Sequence, residues 1–457
     1  MEVREQRDYL CPGEQSPISR SVHLGRLARF YPACRQCPQR DDTGSLSTRQ
    51  VERLVEAQLR GGSKPLFGDE GAGGVYLNDF GPDAAREMAA ALGILLQTKS
   101  PRTACEGSAS EHPIFSASRG EPPHAVRGLS VEHVAHDAAD CENAYEPLAT
   151  EPVVVIAGDG RPSAGELVAA VCEGLRWAGC HVVDIGPASS ACLGFAIDHL
   201  QTAGGVFVGN PGCEVQTVGL KFFGGSGPLS GGGPLDQLRE IYDAGPDRPT
   251  RTYGSLRRFQ AEGPYLAVAA ESYHALRPLR FVLDSACRPL AGYLQKLTKP
   301  VACEIFPRRT TRDRFSEQVV DDAAHFGVRV DGDGERCEVF DERGRRVSAG
   351  RMLVLLARHL RFAKPQAAVV VEDDTLPALV RAIGDPVVLS DARRSEMASA
   401  MRVHKAIIGG GPSGRFWHVD HGPPLPDALG TVTALLEILS RSDRPLSEVL
   451  DREAAAG

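Results

Sequence analysis

Short apolar runs alternate with amphipathic segments along most of the chain. Residues 153–157, 182–185 and 205–208 are apolar runs rich in β-branched or aromatic side chains. Residues 166–178 and 191–200, which lie between them, repeat apolar positions at helical spacing. This alternation predicts βαβ units and a largely parallel sheet.

The same pattern returns twice further along the chain. An apolar run at 281–284 precedes a helical pattern at 289–297, and another at 367–372 precedes one at 376–383. Three units that each begin with an apolar strand predict an internal structural repeat. The expected fold is therefore α/β, with three tandem α/β/α domains built on mixed, largely parallel sheets.

Other segments mark the limits of these units. Residues 46–60 have helical spacing after a Ser or Thr cap, and Gly- and Pro-rich linkers lie near 225–250 and 345–365. The polar segment 99–150 has little periodicity, which predicts a surface insertion. The predicted organisation is a candidate zinc-binding region at 1–45, a first domain at 46–245 with the insertion at about 99–150, a second at 250–345 and a third at 346–450.

Composition narrows the class of protein. The formal net charge of -8 gives no reason to expect nucleic acid or an anionic membrane as a partner. No apolar run approaches the roughly 20 residues that span a bilayer. The first ten residues, MEVREQRDYL, are charged where a signal peptide has an apolar core. We therefore expect a cytoplasmic protein whose scattered cysteines are reduced.

A cysteine and histidine cluster stands near the N-terminus. Cys11, His23, Cys34 and Cys37 give the spacing C-x11-H-x10-C-x2-C. Thiolate and imidazole ligands suit tetrahedral Zn²⁺, and four protein ligands indicate a structural site. A metal would stabilise a short segment that is poor in apolar residues. The alternative is that these cysteines bind nothing and lie in a flexible arm.

Three acidic side chains alternate at 331–335. Asp331, Asp333 and Glu335 follow an apolar run, are separated by glycines and precede Arg336. In an extended or looped backbone, alternate side chains fall on one side, and three carboxylates there suit Mg²⁺. An adjacent arginine can orient a carboxylate or a phosphate oxygen. The alternative interpretation is an acidic surface turn.

The run DGDGER at 331–336, with the strand, D-E-x-G turn and helix predicted after it, resembles the DGDADR metal loop of the α-D-phosphohexomutases. Residues 66–74 resemble that family's F-G-T-D-G-I-R-G, and 157–163 its G-R-D-T-R-P-S. The resemblance extends from about residue 65 to about residue 450 and is closest to phosphomannomutases and phosphoglucomutases. It implies Mg²⁺ at Asp331, Asp333 and Glu335, and phosphate contacts from Lys221 and Arg336.

The chain departs from the family at the nucleophile. Residues 204–224 match the family's serine loop without a gap, and Pro211 then falls on the phosphoserine position. Proline has no nucleophile and cannot carry phosphate. Within 206–218 there is no serine, and Cys213 and Thr217 are the nucleophilic side chains. No catalytic residue is therefore assigned.

Two further departures concern the sugar and the phosphate. Residues 409–415 resemble the family's sugar loop G-G-E-x-S-G-H, with Gly411 in place of the glutamate and Arg415 in place of the histidine. The resemblance leaves Ser413 and Arg415 as substrate-binding residues. The final run, RPLSEVLDREAAAG, lacks the family's phosphate loop, so a fourth domain is expected to be absent.

These departures favour a phosphohexomutase-family protein of carbohydrate metabolism with impaired or lost mutase activity. It would retain binding of a sugar phosphate or another small anion, with Mg²⁺ and a structural Zn²⁺ as its expected metals. One alternative is an active mutase that uses an unconventional phosphate relay through Cys213 or a substrate bisphosphate. Another is a non-catalytic regulatory protein that binds a protein partner through the N-terminal cluster.

Overall fold

The computed structural model describes most of the chain. It covers residues 9–11, 15–29, 31, 34, 37–59, 66–77, 79–98, 151–209, 217–419 and 422–455. The predicted insertion at 99–150 lies outside these described residues. Within them, no helix combines the length and the apolar content that a membrane span needs.

Two helices precede the first sheet. Helix α1 (Arg20–Ala28) begins after Ser19, whose hydroxyl accepts a hydrogen bond from the Val22 amide at 3.5 Å and so caps the helix. Helix α2 (Thr48–Leu59) forms where the sequence predicted a helix over 46–60.

Eight strands form the first sheet. They are β1 (Phe67–Gly68), β2 (Gly71–Val75), β3 (Val153–Gly158), β4 (His181–Pro187), β5 (Gly204–Gly209), β6 (Thr217–Gly224), β7 (Gly227–Pro228) and β8 (Leu256–Arg258). Their order is β1-β2-β6-β5-β3-β4-β8, with β7 beside β6. Strands β5, β3, β4 and β8 are parallel, whereas β6 and β2 run antiparallel to their neighbours. The helices of this part are α3 (Pro82–Thr98), α4 (Pro162–Trp177), α5 (Ser190–His199) and α6 (Pro234–Ala244).

Both faces of the first sheet are covered, as its apolar strands require. Val154 and Ile156 face a core shared with α3 and α4, while Val155 and Ala157 face a core shared with α5. Helices α3 and α4 approach closely because residue 174 is glycine, where a side chain would collide with the backbone of α3.

The second sheet has five strands in the order β10-β9-β11-β12-β13. Their bounds are β9 (Arg280–Ser285), β10 (Glu304–Pro307), β11 (Phe326–Val330), β12 (Cys337–Asp341) and β13 (Arg346–Val347). Strands β10, β9 and β11 are parallel, and β12 and β13 are antiparallel. The accompanying helices are α7 (Glu262–Ala270), α8 (Arg288–Thr298) and α9 (Arg312–Asp321).

The third sheet also has five strands, in the order β15-β14-β16-β17-β18. Their bounds are β14 (Val369–Glu372), β15 (Val387–Ser390), β16 (Ile408–Gly410), β17 (Phe416–His418) and β18 (Leu425–Pro426). The helices around it are α10 (Ala349–Ala363), α11 (Pro377–Ile383), α12 (Arg394–Val403), α13 (Ala428–Ser440) and α14 (Leu446–Ala455).

The three sheets repeat one topology, which confirms the predicted internal repeat. In each, the first parallel strand lies between the second and the third, and an antiparallel strand follows beside the third. One hydrophobic core contains buried residues of all three sheets, including Val155, Val328 and Val371. Strand β8 pairs with β4 of the first sheet, although the sequence placed 256–258 in the second domain. The domain boundaries themselves stay predictions.

The repeat explains where the candidate residues lie. The connection from the third strand to the antiparallel strand is 331–336 in the second sheet and 411–415 in the third. In the first sheet the same connection is 210–216, which contains Pro211 and Cys213 and lies outside the described residues. The runs 331–336 and 411–415 therefore occupy equivalent positions in the second and third sheets.

Candidate functional site

The 331–336 loop is held by its first carboxylate. One oxygen of Asp331, Oδ1, accepts hydrogen bonds from the backbone amides of Gly334, Glu335 and Arg336 at 3.1, 2.9 and 3.1 Å. Gly334 has a φ of 80°, a left-handed conformation that glycine adopts without strain. The Asp and Gly residues that suggested a metal loop therefore also build the turn itself.

Glu335 lies at the centre of a buried charge cluster. Its Oε1 accepts a hydrogen bond from the Ser190 hydroxyl at 2.7 Å and another from Nη2 of Arg394 at 2.7 Å. Its Oε2 lies 2.9 Å from the Lys221 ammonium and 3.5 Å from Nε of Arg415. Glu335 is only 1% exposed, so these contacts are almost free of solvent screening.

The three cations come from two sheets. Lys221 lies on β6 and also pairs with Asp333. Arg394 begins α12, is fully buried and stacks over the Phe223 ring at 5.0 Å from its centroid. Arg415, which precedes β17, also pairs with Glu70.

The pKa values follow these contacts. Burial opposes ionisation of Glu335, but the charges of Arg394, Lys221 and Arg415 outweigh it and hold the Glu335 pKa well below its usual range. Burial, together with the neighbouring Asp333 carboxylate, raises the pKa of Asp331 well above its usual value. Burial would lower the pKa of Arg415, yet Glu335 and Glu70 raise it.

These carboxylates do not fit a magnesium ion as arranged. Both oxygens of Asp333 and both of Glu335 already contact a donor or a cation of the chain. Mg²⁺ requires octahedral coordination and usually keeps several waters, whereas Asp333 is fully buried and Glu335 nearly so. Throughout the described ranges, no three His, Cys, Asp or Glu side chains are placed to hold a metal ion.

The remaining predicted contacts divide into buried and exposed residues. Lys221 and Arg415, expected beside substrate, are instead buried in ion pairs. Arg336 is exposed and makes no ion pair with any described residue, and its backbone forms a β-bridge with Arg415. Arg336 is therefore the solvent-facing cation of this loop.

In the third sheet, Ser413 binds a carboxylate that sequence reasoning missed. Its backbone amide donates to Oε2 of Glu372 at 2.9 Å, and its hydroxyl donates to Oε1. Burial raises the Glu372 pKa, which these two hydrogen bonds offset only in part. A Cβ at Gly411 would lie 2.5 Å from Cβ of Glu372. The absence of a side chain at residue 411 thus leaves space for one at residue 372.

The N-terminal cluster is partly assembled. Cys11, Cys34 and Cys37 are buried, and burial, with the other two thiols nearby, raises the Cys34 pKa to about 11. His23 stacks on Tyr9 at 4.1 Å between ring centroids, and its Nε2 lies 3.1 Å from the Asp42 carbonyl oxygen. As for the carboxylates, no metal-holding set of three is present among the described residues. Zinc at this cluster stays a prediction.

The chain is similar to several known proteins. Residues 128–245 match the model of the phosphoglucomutase/phosphomannomutase alpha/beta/alpha domain I family. A phosphomannomutase of Salmonella montevideo is 27% identical over 327 residues, which cover 65% of this chain and 72% of that protein. A probable phosphoglucosamine mutase of Thermococcus gammatolerans is 28% identical over 316 residues, 65% of this chain and 70% of its own.

The chain is similar to α-D-phosphohexomutases over 65% of its length.

Solved structures agree with this phosphohexomutase fold. A phosphoglucomutase/phosphomannomutase family protein from Burkholderia thailandensis superposes with a TM-score of 0.66 at 21% identity, covering 84% of this chain and 78% of that one. A putative phosphomannomutase from Thermus thermophilus gives 0.65 at 19% identity, covering 86% and 84%. At this identity the likeness shows the fold alone.

Four residues that contact the predicted site residues were not singled out from the sequence. They are Glu70, Ser190, Glu372 and Arg394. Glu70 and Ser190 lie in segments that matched the family, and Glu372 ends a predicted strand. Nothing in the sequence indicated a role for Arg394, because an arginine among the charged residues at the start of a helix is usually exposed.

Proposed function

We propose that this phosphohexomutase-superfamily protein binds a sugar phosphate or another small anion beside its 331–336 loop, with mutase turnover impaired or lost. Mutase turnover needs a group that accepts a phosphoryl group and returns it. Pro211 stands at the position of the family's phosphoserine, and no serine occurs within 206–218. Cys213 is then the nearest side chain with any nucleophilic character.

The state of the cations carries this proposal. Lys221 and Arg415 are 2% and 3% exposed, and both are paired with carboxylates of the chain. Lys221 could reach a phosphate only by leaving the buried Asp333 carboxylate without its cation, which costs several kcal/mol. Arg415 could do so only by breaking its ion pairs with Glu335 and Glu70. Arg336 carries no such restraint, since it is exposed and has no ion pair with the described residues. We assign the anion contact to Arg336.

Turnover is tested by coupled assays of glucose 1-phosphate and mannose 1-phosphate conversion. We expect little or no conversion of either sugar phosphate. In parallel, the protein is incubated with glucose 1,6-bisphosphate and its intact mass is measured. A stable phosphoryl addition together with turnover would contradict the proposal and favour a relay through Cys213.

Binding is tested by titrating glucose 6-phosphate calorimetrically into the wild type and Arg336→Ala. A hydrogen bond to a charged group contributes about 1.5–3 kcal/mol, so we expect roughly a tenfold or greater loss of affinity. Arg343→Ala is the control, because Arg343 is an exposed arginine, 57% accessible, in the turn after β12. Equal binding by wild type and Arg336→Ala would remove Arg336 from the site. No binding by the wild type would refute the anion-binding function.

We also propose a structural zinc at Cys11, His23, Cys34 and Cys37. The orientation of His23 supports it: an Nε2–H that donates to the Asp42 carbonyl leaves Nδ1 as the electron-pair donor. Three buried thiols lie nearby, although the described arrangement does not yet bring three donors onto one point. Such a site would stabilise the N-terminal region and could present it to a protein partner.

A further inference from the structure

The carboxylates of the 331–336 loop have their counter-charges inside the protein. Lys221 contacts Asp333 and lies 2.9 Å from Oε2 of Glu335. Arg394 and Arg415 approach Glu335 from the third sheet, at 2.7 and 3.5 Å. Two carboxylates are thus faced by three cations, of which Arg415 also pairs with Glu70. Positive charge is already supplied where the sequence pattern suggested a divalent ion.

The loop backbone is fixed from both sides. The Asp333 carbonyl accepts a hydrogen bond from the Ser190 amide at the start of α5, at 2.9 Å. The Gly334 carbonyl accepts one from the Ala428 amide at the start of α13, at 3.0 Å. Cys337, just after the loop, donates its amide to the Gly414 carbonyl at 3.1 Å. Room for a hydrated ion would require several of these backbone bonds to break.

The cations depend on the carboxylates in turn. Arg394 is fully buried, Nη2 is on Glu335, and neither Nε nor Nη1 has a hydrogen-bond partner among the described residues. If a metal ion took Glu335, this guanidinium would remain in the interior with its charge uncompensated. Breaking a buried pair in this way is strongly unfavourable, because the remaining charge has lost its water as well.

We propose that Lys221, Arg394 and Arg415 take the place of a divalent cation at the Asp331–Glu335 carboxylates and hold the junction of the three sheets without a metal. Lys221 comes from the first sheet, the loop from the second, and the two arginines from the third. The cluster therefore acts as a permanent link between parts of the chain. It does not depend on metal supply or on whether a sugar phosphate is bound.

The wild-type protein gives the first test. The full chain, treated with a chelator and dialysed, is titrated with Mn²⁺ while the free ion is followed by electron paramagnetic resonance. We expect no binding below millimolar Mn²⁺. We also expect the same thermal midpoint in chelator and in Mg²⁺. Micromolar Mn²⁺ binding that is lost in Asp333→Asn would overturn the proposal, as would a Mg²⁺-dependent rise in the midpoint that Asp333→Asn abolishes.

A second test removes one cation. Lys221→Met keeps most of the side-chain volume and leaves Asp333 and Glu335 without their shared ammonium. We expect a lower thermal midpoint in chelator, Mn²⁺ affinity at least about tenfold above wild type, and partial recovery of the midpoint in Mg²⁺. Lys296→Met is the control, since Lys296 is 63% exposed and pairs with Glu262 at the surface. A folded Lys221→Met protein that neither loses stability nor gains Mn²⁺ binding would contradict the proposal. Should it not fold, the wild-type titration decides alone.

Discussion

The carboxylate loop and the N-terminal cysteine cluster look alike in sequence and differ in structure. Each offers three or four metal-binding side chains within a short span, and both predicted a metal. At the loop, Glu335 and Asp333 contact three buried cations. At the cysteine cluster, Nη1 of Arg26 lies 3.0 Å from Sγ of Cys11. Burial raises the Cys34 pKa more than the Arg26 charge lowers it.

The difference shows that a sequence pattern of metal-binding side chains does not reveal which cations lie beside them in the fold. Carboxylates and thiolates attract a metal because burying their charge without a partner is costly. Where lysine or arginine side chains lie beside the carboxylates or thiolates, they already offset the cost of burying those charges. A metal ion then adds little stability to the site. The counter-charges, which lie far away in sequence, decide between a metal site and an ion-pair cluster. Substitutions of the residues that carry or lack these counter-charges can therefore distinguish the two kinds of site.

The largest effect is expected at Arg394. Arg394→Met removes a fully buried partner of Glu335, and breaking a buried pair costs about 3–5 kcal/mol. Urea unfolding followed by circular dichroism should show this loss for the sheets around the cluster. The neighbouring Arg393→Met is the control, because Arg393 is 40% exposed and its surface ion pair with Asp391 contributes little to stability. Equal losses for the two variants would mean that burial of the ion pair does not matter here.

A buried carboxylate that is held by hydrogen bonds, and forms no ion pair with the described residues, provides an intermediate case. Glu372 is 1% exposed and is held by Ser413 through two hydrogen bonds. Gly411→Ala would place a Cβ 2.5 Å from Cβ of Glu372, and overpacking of this kind costs about 1–3 kcal/mol. Glu372→Gly in the same chain removes that Cβ and should relieve much of the loss, which a double-mutant cycle measures.

The matched control for this prediction is Gly292→Ala. Residue 292 lies in helix α8, and a Cβ there meets nothing within 4 Å. Alanine should therefore stabilise the helix by about 0.5–1 kcal/mol. A Gly411→Ala protein as stable as Gly292→Ala would contradict the close contact between residues 411 and 372.

Acid should weaken the carboxylate cluster selectively. Burial would raise the Glu70 pKa, but the charge and hydrogen bond of Arg415 outweigh it and lower that pKa. A carboxyl whose pKa is lower when folded contributes stability above its unfolded value, near 4.5, and loses it as the pH falls through the folded pKa. As the pH is lowered below 4.5, the thermal unfolding midpoint of the wild type should therefore fall more steeply than that of Glu70→Gln. Parallel midpoint curves would show that Glu70 makes no such contribution.

The sequence predicted the repeat well because its evidence is local. Runs such as 153–157 and 281–284 carry their strand signal within themselves, and the observed strands β3 and β9 extend them by one or two residues. The cluster could be predicted only in its carboxylates. Along the chain, Arg394 lies 59 residues and Ser190 lies 145 residues from Glu335. These residues come together only after the three sheets pack. The motif at 331–336 resembles a metal loop, and nothing within it predicts the ion pairs with Lys221 and Arg394.

The smallest effect on the sheets, and the most direct contrast with the loop, is expected at Cys34. If the Arg26 guanidinium beside Cys11 does not compensate three thiolates, the purified protein should carry about one zinc per chain by mass spectrometry of metals, and Cys34→Ser should lose it. Cys303→Ser is the control, because Cys303 is half-buried and lies in the second sheet region, away from the cluster. The main unfolding transition should change little, since the cluster precedes the first sheet, whereas proteolysis of the N-terminal region should accelerate. A wild-type protein without zinc would show that three adjacent buried thiols can be accommodated without a metal. The comparison between a metal site and an ion-pair cluster would then lose its metal site.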